Sequence, residues 1–361
     1  MIFSEKLIYW YSANKRDLPW RNTHDPYLIW LSEIILQQTR VEQGMPYYLR
    51  FSEKYPNVNS FAAASEDEIL RLWQGLGYYS RGRNMLKTAK KIRDEFNGIF
   101  PSAYNELISL TGIGEYTAAA ISSFSANEAK AVVDGNVYRL LARYFGIDTP
   151  INSGKGKKQF QEIADQLINP ANAAEHNQAI IEFGALQCKP KNPNCESCPF
   201  LSSCFAYQQK AINKFPVKLK KLKIKERFFF FFLLIKNDQI LIKRRNNNDI
   251  WAGLHDLPAI EYPTRTTLNE LMVSKKFNDW FEEEPILISV SDEIKHLLTH
   301  QRIYARFVHV ERHQNLLIDV NNCFWIPISD LEKFGQPKLI FDFLKKYLNS
   351  INFTRKNYVG N

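Results

Sequence analysis

Apolar positions in the first two hundred residues recur at helical spacing. Between Pro26 and Gln38, Tyr27, Leu28, Ile29, Trp30, Leu31, Ile34, Ile35 and Leu36 are too many for one exposed stripe, so the pattern predicts a largely buried helix. Further helical stretches are predicted over Glu68–Trp73, Arg83–Phe96, Ala103–Ser109, Tyr116–Ser125, Val137–Phe145, Lys158–Ile168 and His176–Leu186, with Gly and Pro between them. No β-alternation interrupts them before residue 210. Beyond residue 227 the pattern shifts to strand-like runs. Phe228–Lys236 and Gln239–Arg244 flank Asn237-Asp238, a hairpin signal. Glu293–Thr299, Arg302–Val310 and Asn322–Ile326 read as further strands, and Thr267–Lys276 and Lys338–Leu348 as helices. The 361 residues are therefore read as multidomain. An all-α domain covers 1–209, a linker 210–227, an α+β domain 228–350, and a polar tail 351–361 that is expected to fray.

Charge adds a partner class. Lys+Arg 47 against Asp+Glu 38 gives +9, which favours a polyanion. The basic residues concentrate in the linker, where Lys214, Lys218, Lys220, Lys221, Lys223, Lys225 and Arg227 face one acid, Glu226. That stretch reads either as a solvated connector or as a strap that also meets phosphates. The longest apolar run, Phe228–Ile235, is far short of the roughly 20 residues that span a bilayer. The first residues carry mixed charge and no apolar signal region, so a cytoplasmic location is expected.

Four of the five cysteines, Cys188, Cys195, Cys198 and Cys204, fall in one short stretch as C-x6-C-x2-C-x5-C. Clustered thiols in a chain without a secretory signal point to ligation rather than disulfides. Four thiolates fit a tetrahedral zinc or a [4Fe–4S] cubane. Only one pair is close, which leans toward the cluster, and its plainest role is to staple a loop.

Three more features carry chemistry. Leu110-Thr111-Gly112-Ile113-Gly114 lies between two helical stretches. Glycines two apart let backbone N–H groups approach a phosphate, and the next helix N-terminus adds its dipole. The motif is a helix-hairpin-helix DNA-binding signature or an ordinary helix–helix turn. Glu33, inside the apolar helix, is either internally paired or an acid of raised pKa. Asp134 precedes Gly135-Asn136 and a helix, where it reads first as an N-cap.

Taken in order, Leu18-Pro19-Trp20-Arg21, Trp30–Val41, Gly75-Leu76-Gly77-Tyr78-Tyr79-Ser80-Arg81, Asp134-Gly135-Asn136-Val137, Asn177-Gln178-Ala179 and the four cysteines resemble the helix-hairpin-helix DNA glycosylases. Within these they resemble the adenine DNA glycosylases of the MutY type, over nearly the whole chain. The resemblance implies a [4Fe–4S] cluster on the cysteines and a monomeric base-excision-repair enzyme in bacterial cytoplasm. Its substrate would be duplex DNA with adenine opposite 8-oxoguanine or guanine. It implies Glu33 as the acid that protonates adenine, and Asp134, supported by Tyr116 and Asn136, as the group that stabilises the sugar cation. Arg21 and Glu182 would contact the flipped base, Gln38 and Tyr78 would wedge the stack, and Gly112 and Gly114 would meet the backbone. For Tyr78 the plainer reading is packing beside Trp73. Lyase relatives carry a Lys where this chain has Tyr116, so strand scission is not expected.

Trp251-Ala252-Gly253-Leu254 and Leu257-Pro258 resemble anchors of that family's C-terminal Nudix-like module, here without a Glu/Arg Nudix box. Leu298-Thr299-His300 stands where the family has a Phe-Ser-His loop that reads 8-oxoguanine, which makes Thr299 and His300 candidate contacts. The alternatives are a glycosylase for another base and a catalytically idle DNA-binding iron–sulfur scaffold. Intact Glu33 and Asp134 argue against the idle scaffold.

Overall fold

The computed structural model describes residues 3–219, 224–246, 249–281, 285–311 and 322–358, the last eight of these by backbone alone. Its helices are α1 Phe3–Asn14, α2 Pro26–Leu36, α3 Val41–Lys54, α4 Val58–Ala62, α5 Glu66–Leu72, α6 Ser80–Glu95, α7 Tyr104–Leu107, α8 Glu115–Ala126, α9 Gly135–Phe145, α10 Gly154–Leu167, α11 Ala173–Leu186 and α12 Phe205–Gln208, followed by α13 Leu268–Met272, α14 Lys275–Asn278 and α15 Lys338–Tyr358. The strands are β1 Lys225–Lys236, β2 Gln239–Arg244, β3 His255–Asp256, β4 Ala259–Tyr262, β5 Ile286–Val290, β6 Ile294–Leu297, β7 Gln301–Glu311 and β8 Cys323–Pro327. Contacts divide the chain into two units. One holds residues 1–64 and 84–221; the other holds 65–83 and 222–361. The first is all-helical, and the second is a mixed sheet with helices. No described helix is long and apolar enough to cross a membrane.

In the helical unit Asp25 caps α2 by accepting the Tyr27 N–H at 2.8 Å, and Pro26 supplies the preset first turn. The excess of apolar residues on α2 is used on several sides, with Ile29, Trp30, Leu31, Ile34 and Ile35 all buried. Trp30 meets Phe61 and Phe100 at ring separations of 5.8 and 5.1 Å. A second aromatic cluster ties the cysteine loop down. Phe200, between Cys198 and Cys204, stacks on Phe3 at 4.8 Å and meets Phe183 of α11 edge-on at 5.3 Å. Asn177 on α11 is 1% exposed and cross-links three segments. Its amide donates to Ser123 Oγ and Lys130 O, both at 2.8 Å, and accepts the Val132 N–H at 3.1 Å. These bonds fix the strandless run that delivers Asp134.

In the sheet unit β1 pairs in parallel with β7 over Lys225–Leu234 and antiparallel with β4, and its end pairs with β2. Both faces of β1 are covered, which explains its unbroken apolar run. Phe230, Phe232 and Leu234 pack with Leu271 and Phe277 on one face. On the other, Phe231 stacks on Phe307 at 5.3 Å, and Phe307 on Phe343 of α15 at 3.7 Å. Asn237 and Asp238 take φ of 50° and 57°, as a two-residue hairpin turn requires. Within this unit the Tyr79 hydroxyl donates to Gln336 O at 3.1 Å, and Arg244 lies 3.7 Å from Glu66 and from Asp67.

Several expectations need correction. β1 begins at Lys225, inside the stretch read as linker, because Lys225–Arg227 pair with Gln301–Ile303 of β7. Val217 and Leu219 pair with Ile151 and Asn152 of the helical unit, while Lys220, Lys221 and Lys223 lie outside the described residues. Thr267–Lys276 breaks into α13 and α14, since Ser274 accepts the Phe277 N–H and starts a new helix. The strand expected over Glu293–Thr299 stops at Leu297; the Leu298 N–H donates to Gln301 O, so Thr299 and His300 form the β6–β7 turn. α15 runs to Tyr358, beyond the expected Leu348 and into the tail, with neither Gly nor Pro to stop it; residues 359–361 are outside the description.

Asn177→Ala strands two donors' worth of buried acceptors and one buried N–H. It is expected to destabilise the protein by about 2–4 kcal/mol in urea unfolding, whereas a change below about 0.5 kcal/mol would contradict the cross-linking role.

Candidate active site

A cavity of about 770 Å³ opens in the helical unit, and Arg21, Glu33, Gln38, Tyr116, Asp134 and Asn136 all line it. They come from distant parts of the chain. Glu33 projects from α2, which ends at Leu36 and passes into Gln38 with φ +56°. Tyr116 stands in the first turn of α8. Asp134 caps α9, accepting the Asn136 and Val137 N–H groups at 2.9 and 2.8 Å. The N-cap reading of Asp134 and its place in a cavity wall are therefore met by one geometry.

The two carboxylates sit in opposed environments. Burial pushes the Glu33 carboxyl up to about 7; the Asp134 charge adds to this, while a Tyr116 hydrogen bond and Arg21 oppose it. Burial raises Asp134 on balance as well, although the Val137 N–H, the Asn136 side chain and backbone and the Arg139 charge oppose it and favour the ionised form. The positive end of α9 acts in the same direction. Burial and both carboxylates push the Tyr116 phenol well above its ordinary range, so it is a neutral donor.

Asn136 Nδ2 donates to Asp134 Oδ2 at 2.7 Å. Its amide orientation is set by Arg139, whose Nη2 donates to Asn136 Oδ1 at 2.9 Å and to Gly184 O at 2.6 Å. A Cβ on Gly184 would stand 2.7 Å from Asn136 Cβ, so only glycine allows α11 this close to α9. Arg139 Nε then donates to Cys188 O at 2.8 Å, joining Asp134 to the cysteine loop through two side chains. Sequence reasoning missed Arg139; its signal is the three-residue spacing from Asn136, which stacks both on one helix face.

Glu182 does not line the cavity. It is fully buried behind Arg16 and Arg21, with Arg16 Nη2 at 2.6 Å and Arg21 Nη2 at 2.7 Å from Oε2, and Arg16 Nε and Arg21 Nη1 both at 2.9 Å from Oε1. Burial raises its carboxyl, yet the two guanidiniums outweigh this and hold it at about 2. Arg16, also missed in the sequence, lines the cavity beside Arg21, as does Gln178.

In the hairpin, Gly112 has φ +78° and a Cβ there would meet Asn84 Cβ at 2.9 Å, so the turn requires glycine. Gly114 caps α8 with open space around it.

Cys188, Cys195, Cys198 and Cys204 line one small cavity. Arg143 Nη1 donates to Cys188 Sγ at 3.4 Å, and the Cys204 thiol donates to Arg143 O at 3.6 Å. Burial pushes the Cys198 thiol up to about 11 and raises Cys195 and Cys204, so a bound cation would have to displace their protons. Among the described residues no three Cys, His or carboxylate groups close on a single ion position; the four thiols face a shared volume instead. That donor set fits a polynuclear cluster, in which each thiolate meets its own iron.

Tyr78, Thr299 and His300 belong to the sheet unit, where they line a separate cavity with Trp251 and His296. The Tyr78 and Thr299 hydroxyls are hydrogen-bonded, and Tyr78 takes φ +48°. Tyr78 is 42% exposed, so it is not a core residue.

Residues 31–170 match the model of the HhH-GPD superfamily base excision DNA repair proteins, and residues 230–346 match the NUDIX domain. The adenine DNA glycosylase of Buchnera aphidicola from Schizaphis graminum is 33% identical over 345 residues, covering 95% of this chain and 98% of that protein. The adenine DNA glycosylase of Homo sapiens is 41% identical over 216 residues, 57% of this chain and 40% of that protein. Among solved structures, a thermostable thymine-DNA glycosylase aligns at TM-score 0.54 and 28% identity, covering 57% of this chain and 95% of that one. A non-covalent Endonuclease III–DNA complex aligns at TM-score 0.50 and 21% identity over 58% of this chain and 99% of that one, a likeness of fold. With a relative matched almost end to end and both domain models in order, the chain belongs to the adenine DNA glycosylases, built as a helical HhH-GPD domain followed by a Nudix-like domain.

Proposed function

We propose that the protein is a monofunctional glycosylase that hydrolyses the N-glycosidic bond of adenine opposite 8-oxoguanine or guanine in duplex DNA, acting as a monomer in cytoplasmic base-excision repair. One observation carries this reading. Glu33 and Asp134 share a cavity in which burial raises the Glu33 carboxyl to about 7 while three hydrogen bonds to Asp134 favour its ionised form.

Adenine is a poor leaving group, and its departure builds positive charge on the sugar. Glu33 gives its proton to N7, so the C1′–N9 bond breaks with the electron pair leaving on a neutral base. Asp134 faces the oxocarbenium and stabilises it. Water then adds to C1′ and returns a proton to Glu33. Tyr116 donates to Glu33, and Asn136 and Arg139 hold Asp134. A phenol at position 116 forms no Schiff base, so the strand stays intact. Arg21 and Arg16 face the base, and Glu182 orients both. The target base leaves the stack before reaction. Left-handed backbone at Gln38 and Tyr78, costly for such side chains, supports their reading as wedges. The open N–H end of α8 at Gly112–Gly114 suits a DNA phosphate. Thr299 and His300, on an exposed turn, offer a hydroxyl and an imidazole to the oxidised edge of the opposite guanine. Cys188, Cys195, Cys198 and Cys204 would hold a [4Fe–4S] cluster, which when bound supplies a cross-link across their loop.

Glu33→Gln and Asp134→Asn should each lower the single-turnover rate on a saturated A:8-oxoguanine duplex by about 10²-fold or more, with affinity kept within a few fold. Near-normal turnover in either variant removes that residue from the mechanism. The wild-type rate should fall as pH rises through about 7, where Glu33 loses its proton. The stability sign follows from the same shift. A carboxyl raised from 4.5 to about 7 favours the fold below pH 4.5 and loses that benefit as pH climbs through 7. Glu33→Gln should therefore raise the melting temperature more at pH 8 than at pH 4.5; the reverse order would place Glu33 among the ordinary carboxylates.

Purified protein should be brown, with about four irons per chain. Cys198→Ser should lower the melting temperature and DNA affinity more than the chemical step. Colourless, zinc-loaded, fully active protein would overturn the assignment.

Thr299→Ala combined with His300→Ala should narrow the preference for A:8-oxoguanine over A:G by roughly tenfold, one to two discriminating hydrogen bonds, without slowing chemistry on a saturated duplex. Equal discrimination by variant and wild type would reduce this turn to a strand connection.

A further inference from the structure

In the sheet unit, the segment Gly75-Leu76-Gly77-Tyr78 lies between α5 and α6 and contains three left-handed residues, with φ of 98° at Gly75, 74° at Gly77 and 48° at Tyr78. Glycine adopts that backbone freely, but at Tyr78 the Cβ crowds the carbonyl oxygen that follows. A residue so placed persists only where its surroundings over-determine it. The hydroxyl end of Tyr78 is tied to Thr299. The backbone end is held by a residue that the proposed chemistry does not use, Arg81.

Arg81 Nη2 donates to Leu76 O at 3.3 Å and to Gly77 O at 3.2 Å, the two carbonyls that lead into Tyr78. Its backbone N–H donates to Tyr78 O at 2.9 Å, so Arg81 bonds the chain on both sides of the left-handed tyrosine. Its guanidinium also lies 5.1 Å from the Trp73 ring centre and 5.7 Å from that of Tyr78. Trp73 is fully buried and donates its indole N–H to Gly77 O at 3.0 Å, which gives the guanidinium a fixed support. Gly82 lets α6 run against this indole, where an added Cβ would stand 3.3 Å away. Burial lowers the Arg81 pKa to about 10, so the group remains a cation at neutral pH. A planar fork that meets two carbonyls and two rings has no equivalent in lysine, whose ammonium is a single point of charge.

We infer that Arg81 is the positioning residue of Tyr78, fixing both the left-handed backbone and the ring with which this tyrosine enters the base stack. This role presupposes that Tyr78 is a wedge. Arg81 acts through Tyr78, so its replacement should matter to the stack only while Tyr78 is present.

The test is stopped-flow fluorescence of the full-length protein mixed with an A:8-oxoguanine duplex that carries 2-aminopurine beside the 8-oxoguanine, a base that brightens when it unstacks. Tyr78→Ala, Arg81→Lys and the double variant are compared with wild type. Arg81→Lys should lower the unstacking rate about tenfold and Tyr78→Ala by at least as much, while the double variant should be no slower than Tyr78→Ala alone. Should Arg81→Lys fail to fold, Arg81→Gln is read in the same way. A merely structural role for Arg81 would slow unstacking by the same factor with or without Tyr78, so losses that multiply in the double variant would overturn the positioning role. Unstacking at the wild-type rate by Arg81→Lys, with Tyr78→Ala slowed, would also overturn it and leave the wedge standing. Normal unstacking by Tyr78→Ala would overturn the wedge and the positioning role together.

Discussion

Two buried carboxylates in one cavity cannot both be charged cheaply, and the helical unit is arranged around that constraint. The Asp134 charge raises the proton affinity of Glu33. Which group yields is decided by local structure. Asp134 has two backbone N–H donors, the Asn136 amide and the positive end of α9. Glu33 lies in the middle of a buried helix, where its own backbone N–H groups are already used, and its named hydrogen-bond donor is one phenol. Burial raises both carboxyls, and only at Asp134 do several donors oppose the rise, which favours Glu33 as the proton's site. The proposed chemistry needs that division of charge.

The rest of the unit maintains it. Asn177 fixes the run leading into Asp134. Arg139 holds Asn136 and reaches the backbone of Cys188, so the loop carrying four thiols is mechanically continuous with the anion. Glu182 performs a comparable task for the cations, fixing Arg16 and Arg21 against one buried carboxylate. These second-rank residues show why a cavity wall can be polar without being mobile. Arg16 and Arg21 face the cavity and are backed by Glu182, which does not.

Much of this was legible in the sequence, for identifiable reasons. α2 and β1 are buried on more than one side, so their apolar runs were plain, and Asn237-Asp238 marks its hairpin because few residue pairs adopt left-handed φ. Glu33 stood out as a carboxylate inside an apolar helix and Asp134 as a helix cap, while Tyr116 and Asn136 were legible only through the resemblance to the glycosylase family. Arg16, Arg139 and Gln178 were not, because their partners lie 166, 49 and 167 residues away in the chain and only the fold joins them. The break between α13 and α14, the early end of β6 and the long run of α15 were hidden for a different reason. Each turns on a local cap or its absence, which competes with a hydrophobic period too short to decide. Glu182 could be seen as important but not placed, since its neighbours were needed to show that its oxygens are already occupied.

The central claim is the location of one proton, and it can be watched directly. Infrared difference spectra of wild type minus Glu33→Gln, recorded across pH on protein labelled with 13C-glutamate, isolate the Glu33 carboxyl. A protonated C=O band that disappears with a midpoint near 7 is the result expected from its burial beside Asp134. A midpoint near the ordinary 4.5 would mean that Glu33 is charged at neutral pH, and the division of charge on which this account rests would be wrong.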